Sequence, residues 1–238
     1  DDAGDGRLVV RAPVGRAHEE TLLVGRVAPD DHAVEQSIGG LDLSSQAIQI
    51  ELANPVDRSA LFAWVTKSFP GLNVLVNNAG IQQQIQLQQQ PTWETLGQEM
   101  AINLEAPIHL STLFIPHLMK QKWSAMINVT SGLAFVPLTR VPVYCATKAA
   151  LHSFTRTMRY QLADTSIDVI EIIPPAVDTD LGGKGLHTFG APLDAFTDAI
   201  VEQLEKGSLE ATYGFSSESS RASREQLEAI FEQMNQPM

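Results

Sequence analysis

Five short apolar runs, separated by longer amphipathic stretches, constrain this chain more than any other feature. They span residues 22–24, 48–52, 74–76, 126–129 and 169–173. Strand-length apolar runs alternating with helix-length segments predict an α/β chain with a parallel sheet, because each parallel neighbour has to be reached by a crossover that lays a helix on the sheet. Such crossovers are right-handed, and ligands bind outside the carboxyl ends of the strands. Three distinctive segments follow strand ends, at residues 77–80, at Ser131 and at residues 174–179. The sequence therefore predicts three separate segments meeting on one rim.

Between the strands, residues 58–68 read as a helix with Leu61, Phe62 and Val65 inward, Asp57 as its N-cap and Pro70-Gly71 as its stop. Residues 92–122 read as two helical segments separated near Asn103, and residues 142–162 as one long helix. The glutamine-rich tract 81–90 reads as a solvated loop ending at Pro91.

The long helix carries Tyr144 and Lys148, four apart and so on one face, with Ser131 thirteen residues upstream of the tyrosine at the end of an apolar run. Strand end and helix start would converge there, bringing a phenol, an ammonium and a hydroxyl to one carbonyl. A free tyrosine titrates near pH ~10, too high for efficient exchange at neutral pH. A positive charge about 4 Å away at an effective dielectric of about 20 is worth ~4 kcal/mol, roughly three pKa units at the upper end. Lys148 is the candidate for that correction. Ser131 is the candidate oxyanion donor rather than a nucleophile: no histidine is near it in sequence, and Val129-Thr130-Ser131-Gly132 lacks the flanking glycines of a nucleophile elbow. A serine hydrolase is disfavoured on that ground.

The blocks Asn77-Asn78-Ala79-Gly80, Asn103, Ser131 and Tyr144-x3-Lys148, in this order and spacing, resemble the short-chain dehydrogenase/reductase family. The resemblance runs from about residue 48 to 181 and, through residues 174–179 and Tyr213-Gly214, is closest to an oxidoreductase subgroup of bacterial D-alanylation operons. It implies a single Rossmann-type doubly wound domain over residues 1–238, using NADP or NAD to move hydride to or from a small or medium carbonyl or alcohol. It further implies that Asn103, Ser131, Tyr144 and Lys148 are catalytic, Asn103 supporting a water that returns protons to the lysine. Asn77, Ala79 and Gly80 would border the adenosine side, with Glu51-Leu52 at the adenine. Pro174, Val177, Thr179, Tyr144 and Lys148 would also bind the cofactor, Thr179 at the nicotinamide carboxamide and Lys148 at the nicotinamide ribose. Arg26, after an apolar run, stands where a cation would meet a 2′-phosphate, which favours NADP. Residues 181–192 resemble the family's substrate loop; their shortness predicts an open or shallow site. In the family the helices over 92–122 and 142–162 pack across a subunit interface, so a homodimer or homotetramer is implied. Ala149, Leu151 and Phe154 suit either that interface or an ordinary core.

The N-terminus departs from the pattern. The family's Thr-Gly-x3-Gly-x-Gly turn, which sets backbone N–H groups against a pyrophosphate, has no counterpart in residues 1–21. Residues 8–10 leave too little chain before residue 22 for a crossover, so the first strand is expected to be missing and its neighbours' edges bare. Residues 1–20 have the Gly, Asp, Arg, Ala and Pro richness of a GC-rich message read out of frame. The open alternatives are a divergent loop, or a non-catalytic scaffold or sensor with weakened nucleotide binding.

Composition narrows the partners. A net charge of −12 argues against a phosphate-backbone partner such as nucleic acid. No run approaches the ~18 uninterrupted apolar residues of a membrane helix, and the first residues lack the apolar core of a signal peptide. Cys145 is the single cysteine, which excludes an intrachain disulfide and suits a reducing, cytoplasmic setting. The histidines at 18, 32, 109, 117, 152 and 187 show no metal-ligand spacing, so no metal is expected. The Asn128-Val129-Thr130 glycosylation pattern falls in a strand expected to be buried, and is read as coincidence.

Overall fold

A computed structural model describes residues 7–10, 21–24 and 46–236. Seven strands form one sheet: β1 (Arg7–Val10), β2 (Thr21–Val24), β3 (Gln46–Gln49), β4 (Val74–Asn77), β5 (Ser124–Val129), β6 (Ile167–Ile173) and β7 (Glu210–Thr212). Their spatial order is β3-β1-β2-β4-β5-β6-β7. From β2 to β7 every pairing is parallel, as the alternating sequence predicts.

The first strand that the sequence leads one to expect missing has its place taken by β2. Thr21–Val24 runs parallel to β4, with Leu22 opposite Leu75 and Val24 opposite Asn77, so the expected gap beside β4 is filled. Arg7–Val10 then pairs antiparallel with both β2 and β3. An antiparallel neighbour needs no helical crossover, which is why so short a connection suffices. Arg26 and the remainder of residues 1–20 lie outside the described residues, and with them the readings made there.

Helix α1 (Pro55–Ser68) begins three residues earlier than the sequence predicts. Asn54, not Asp57, is the N-cap, its side chain accepting from Val56 N at 2.9 Å. Pro55 at the first helical position explains the difference, since its fixed φ suits a first turn and its missing N–H costs nothing there. Leu61 and Val65 are fully buried, and Phe62 meets Phe114 edge-on at 5.0 Å between centroids. The next helical stretch is α2 (Trp93–Met100) and α3 (Ala106–Leu118), separated by a π turn at Ala101–Glu105 that contains Asn103. Helix α4 (Pro142–Gln161) follows, then α5 (Leu193–Glu205), α6 (Phe215–Ser219) and α7 (Arg224–Met234).

One core joins α1, α3 and the sheet through Leu61, Val65, Leu75, Leu110, Phe114 and Met126. Leu151 of α4 is 1 % exposed, and Phe154 packs on that same core, so both already serve within the chain. No helix among the described residues is long and apolar enough to cross a membrane.

Candidate active site

The carboxyl ends of β4, β5 and β6 open on one rim because the strands are parallel, and the segments that follow them line a common cleft of about 1670 Å³. Gly80, Ser131, Tyr144, Lys148, Pro174, Val177 and Thr179 all face it. The cleft is large, where the short 181–192 loop predicts an open or shallow site. Its walls include Leu133, Leu138, Phe196, Phe215 and Met234, none of which carries a sequence motif. Such residues are apolar like core residues, and only the tertiary arrangement shows that they line a ligand-sized space.

Tyr144 and Lys148 lie one turn apart on α4, 5 % and 4 % exposed. The Tyr144 hydroxyl and the Ser131 side chain are neighbours on the same cleft wall. Burial raises the phenol well above its ordinary range, and the neighbouring Ser131 side chain works against that rise. The Lys148 Nζ donates to the Val129 carbonyl at 2.8 Å and stands 5.6 Å from the centre of the Tyr144 ring. The lysine is therefore tied to the strand end, and the Tyr144 shift runs upward, set by burial, where the sequence predicts a downward one. Burial instead brings the ammonium itself down to about 8.

Asn103 is fully buried and engaged on three sides. Its Oδ1 accepts from Ile81 N at 2.9 Å, and its Nδ2 donates to Ile81 O at 2.8 Å and toward Thr147 Oγ1 at 3.3 Å. The π turn widens the helix at this point and lets the amide pair with an extended backbone segment. A Cβ added at Gly80 would lie 3.4 Å from Asn103 Oδ1 and 3.6 Å from Lys148 Nζ, so glycine keeps open the space above the lysine.

Other sequence-predicted residues lie elsewhere. Asn77 is buried, donating to Asn128 Oδ1 at 2.8 Å, while Asn128 donates to Thr155 Oγ1 at 2.9 Å; this chain ties β4 to β5 and α4. Asn77, Ala79 and Leu52 line a narrow crevice against Ile102 and Leu110, separate from the large cleft. Glu51 folds its carboxylate onto its own loop, accepting from Ala53 N at 3.0 Å. The loop of residues 181–192 is pinned at its base, where Asp178 N donates to Ala191 O and Ala191 N to Ala176 O, each at 2.9 Å. Gly190 is required beside that bridge, because a Cβ there would meet Val177 C at 2.7 Å. Among the described residues no cluster of His, Cys, Asp and Glu could hold a metal ion.

The sequence pattern of the short chain dehydrogenase family matches residues 3–187. The chain belongs to that family. It is 47 % identical over 194 residues, covering 79 % of this chain and 77 % of the relative, to the oxidoreductase DltE of Bacillus subtilis. It is 27 % identical over 200 residues, 82 % of this chain and 74 % of the relative, to a D-beta-hydroxybutyrate dehydrogenase of Rhizobium meliloti. Among solved structures, a short-chain dehydrogenase from Sphingobium yanoikuyae in complex with NADPH superposes with a TM-score of 0.72 over 90 % of this chain and 83 % of that one, at 20 % identity. A Burkholderia cenocepacia member in complex with NADP gives 0.68 over 79 % of each, at 23 % identity. The fold is thus the family's Rossmann-type sheet.

Proposed function

We propose that this family member is an NADP-preferring oxidoreductase that interconverts a carbonyl and an alcohol. The observation that carries the reading is Ser131, Tyr144 and the buried Lys148 gathered on one cleft wall, tyrosine and lysine one helical turn apart. The residues on the nicotinamide side suit the cofactor. Lys148 has three N–H donors, of which Val129 O takes one, and no carboxylate pairs with it among the described residues. Its remaining donors suit ribose hydroxyls, beneath the space that Gly80 leaves open. Arg26, outside the described residues, is the basis for NADP over NAD.

A bound nicotinamide supplies or accepts the hydride at the substrate carbon. This chain's residues manage the oxygen. Ser131 donates to it and fixes its orientation, and Tyr144 delivers the proton when a carbonyl is reduced or receives it when an alcohol is oxidised. Burial keeps the Tyr144 hydroxyl protonated at neutral pH, so the phenol holds the proton that a developing alkoxide, a stronger base than phenolate, takes up. Leu133, Leu138, Phe196 and Phe215 exclude water and favour a substrate with an apolar body.

NADPH oxidation against a panel of ketones and aldehydes is the direct test. Tyr144→Phe is expected to lower the rate by about 10²–10⁴-fold. Retention of most activity by that variant would overturn the assignment of Tyr144. Absence of NADP binding in a calorimetric titration of the wild type would favour a non-catalytic scaffold instead.

A further inference from the structure

A second cluster of polar side chains lies beneath the cleft floor and plays no part in the chemistry above. Glu171 on β6 is fully buried, and its Oε1 accepts from Thr130 Oγ1 at 2.6 Å. His152 on α4 places Nδ1 2.9 Å from Oε1 and 3.0 Å from Oε2 of the same carboxylate. A carboxylate only accepts, so His152 Nδ1 carries the hydrogen. The histidine ring also packs on Phe135, 4.6 Å between centroids at 63°.

These contacts bracket Ser131. Thr130 immediately precedes it and is held by Glu171; Phe135, at the end of the short turn Gly132–Ala134, is held by His152. Between the two anchors, Ser131 Oγ accepts from Leu133 N at 3.1 Å, on the cleft wall that Tyr144 shares. The far side of the turn offers no slack, since a Cβ at Gly132 would lie 2.9 Å from Ser216 Oγ and 3.2 Å from Phe215 Cδ1. A carboxylate buried in the middle of a sheet is expensive, and hydrophobic replacements commonly serve stability as well or better. Its retention here fits a positioning task.

We propose that Glu171 and His152 act as a positioning pair for Ser131, clamping both ends of the segment that carries it so that its hydroxyl meets substrate and Tyr144 in one orientation. His152 also lies one turn beyond Lys148 on α4, so one helix registers lysine, tyrosine and clamp together. The catalytic consequence rests on the function proposed above, whereas the clamp itself does not.

Three variants separate the alternatives. Thr130→Val removes the Thr130 hydrogen bond with little change of shape, His152→Leu removes the Nδ1 donor, and His152→Asn retains a donor near the same place. Thr130→Val and His152→Leu are expected to lower kcat about tenfold with KM for NADPH unchanged, and His152→Asn to recover most of the loss. In a Ser131→Ala background the same changes should cost little more, because their effect runs through that serine. Exchange of the Leu133 amide with solvent should quicken in both variants. Unchanged kcat in folded Thr130→Val, or an undiminished loss in the Ser131→Ala background, would overturn the proposal. Should His152→Leu fail to fold, Thr130→Val decides the matter. If the wild type reduces no carbonyl, the functional reading fails on its own and the Leu133 amide still tests the clamp: unaltered exchange in Thr130→Val would sink it.

Discussion

At the scale of single residues, the site is built from groups whose burial works against their ordinary ionisation. Lys148 is the clearest case, with its pKa brought down to about 8 by desolvation. A base whose folded pKa falls below its unfolded value destabilises the protein wherever both states are charged, which is below about pH 8; the penalty is relieved as pH rises from there toward 10.5. Lys148→Met is therefore expected to abolish most activity while raising stability at neutral pH by about 1–3 kcal/mol. Denaturant titrations at neutral pH and near pH 10 check this, and a gain that does not shrink at the higher pH would count against burial as its cause. Glu99 on α2 is the acidic counterpart. Its side chain is fully buried, Oε1 accepts from Gln83 N at 3.1 Å, and Oε2 has no partner. Burial pushes its pKa up to about 7, only partly opposed by the Gln83 hydrogen bond.

At the scale of elements, the π turn Ala101–Glu105 does the most for the site with the fewest residues. It interrupts an otherwise continuous helical stretch so that the Asn103 amide reaches the backbone of Ile81, just past Gly80. Asn103→Ala would leave a buried N–H and a buried carbonyl without partners, at a cost of about 2–4 kcal/mol. Equilibrium unfolding measures that loss. A change below about 0.5 kcal/mol would mean that the Ile81 backbone finds other partners. The break near Asn103 was legible in the sequence because asparagine interrupts an amphipathic helix. The widened turn was not, since a π turn depends on what the freed backbone meets on the neighbouring segment. The start of α1 differs from the sequence expectation for a related reason: Asn54 and Asp57 are both acceptable caps, and Pro55 decides between them.

At the scale of the whole molecule, the buried Glu99 is expected to make stability depend on pH. An acid whose folded pKa is raised above its unfolded value contributes a penalty that is absent below about pH 4.5 and fully present above about pH 7, so stability falls as pH rises through that window. Glu99→Gln keeps an acceptor for Gln83 N and removes the charge. It is expected to flatten the dependence of Tm on pH between about pH 5 and 8 and to raise Tm at the upper end. Thermal melts of both proteins across that range measure it, and an unchanged slope would assign the dependence to other groups.

Sequence alone determined the parallel α/β plan from residue 48 onward, because apolar runs of strand length alternating with helical segments leave few other ways to bury their faces. It also determined which side chains gather at the rim, since Ser131, Tyr144 and Lys148 each follow a local signal: a strand end, or a shared helix face. Tertiary structure decided the rest. Strand pairing across long separations set Thr21–Val24 beside β4, and no local pattern encodes which strand is neighbour to which. Lys148 turned to Val129 O because the end of β5 offered a carbonyl within reach, a partner that the spacing between Tyr144 and Lys148 cannot specify. The same holds beneath the floor, where Thr130 just past β5, His152 on α4 and Glu171 on β6 meet. Each is unremarkable in its own segment, and burial around a shared carboxylate joins them.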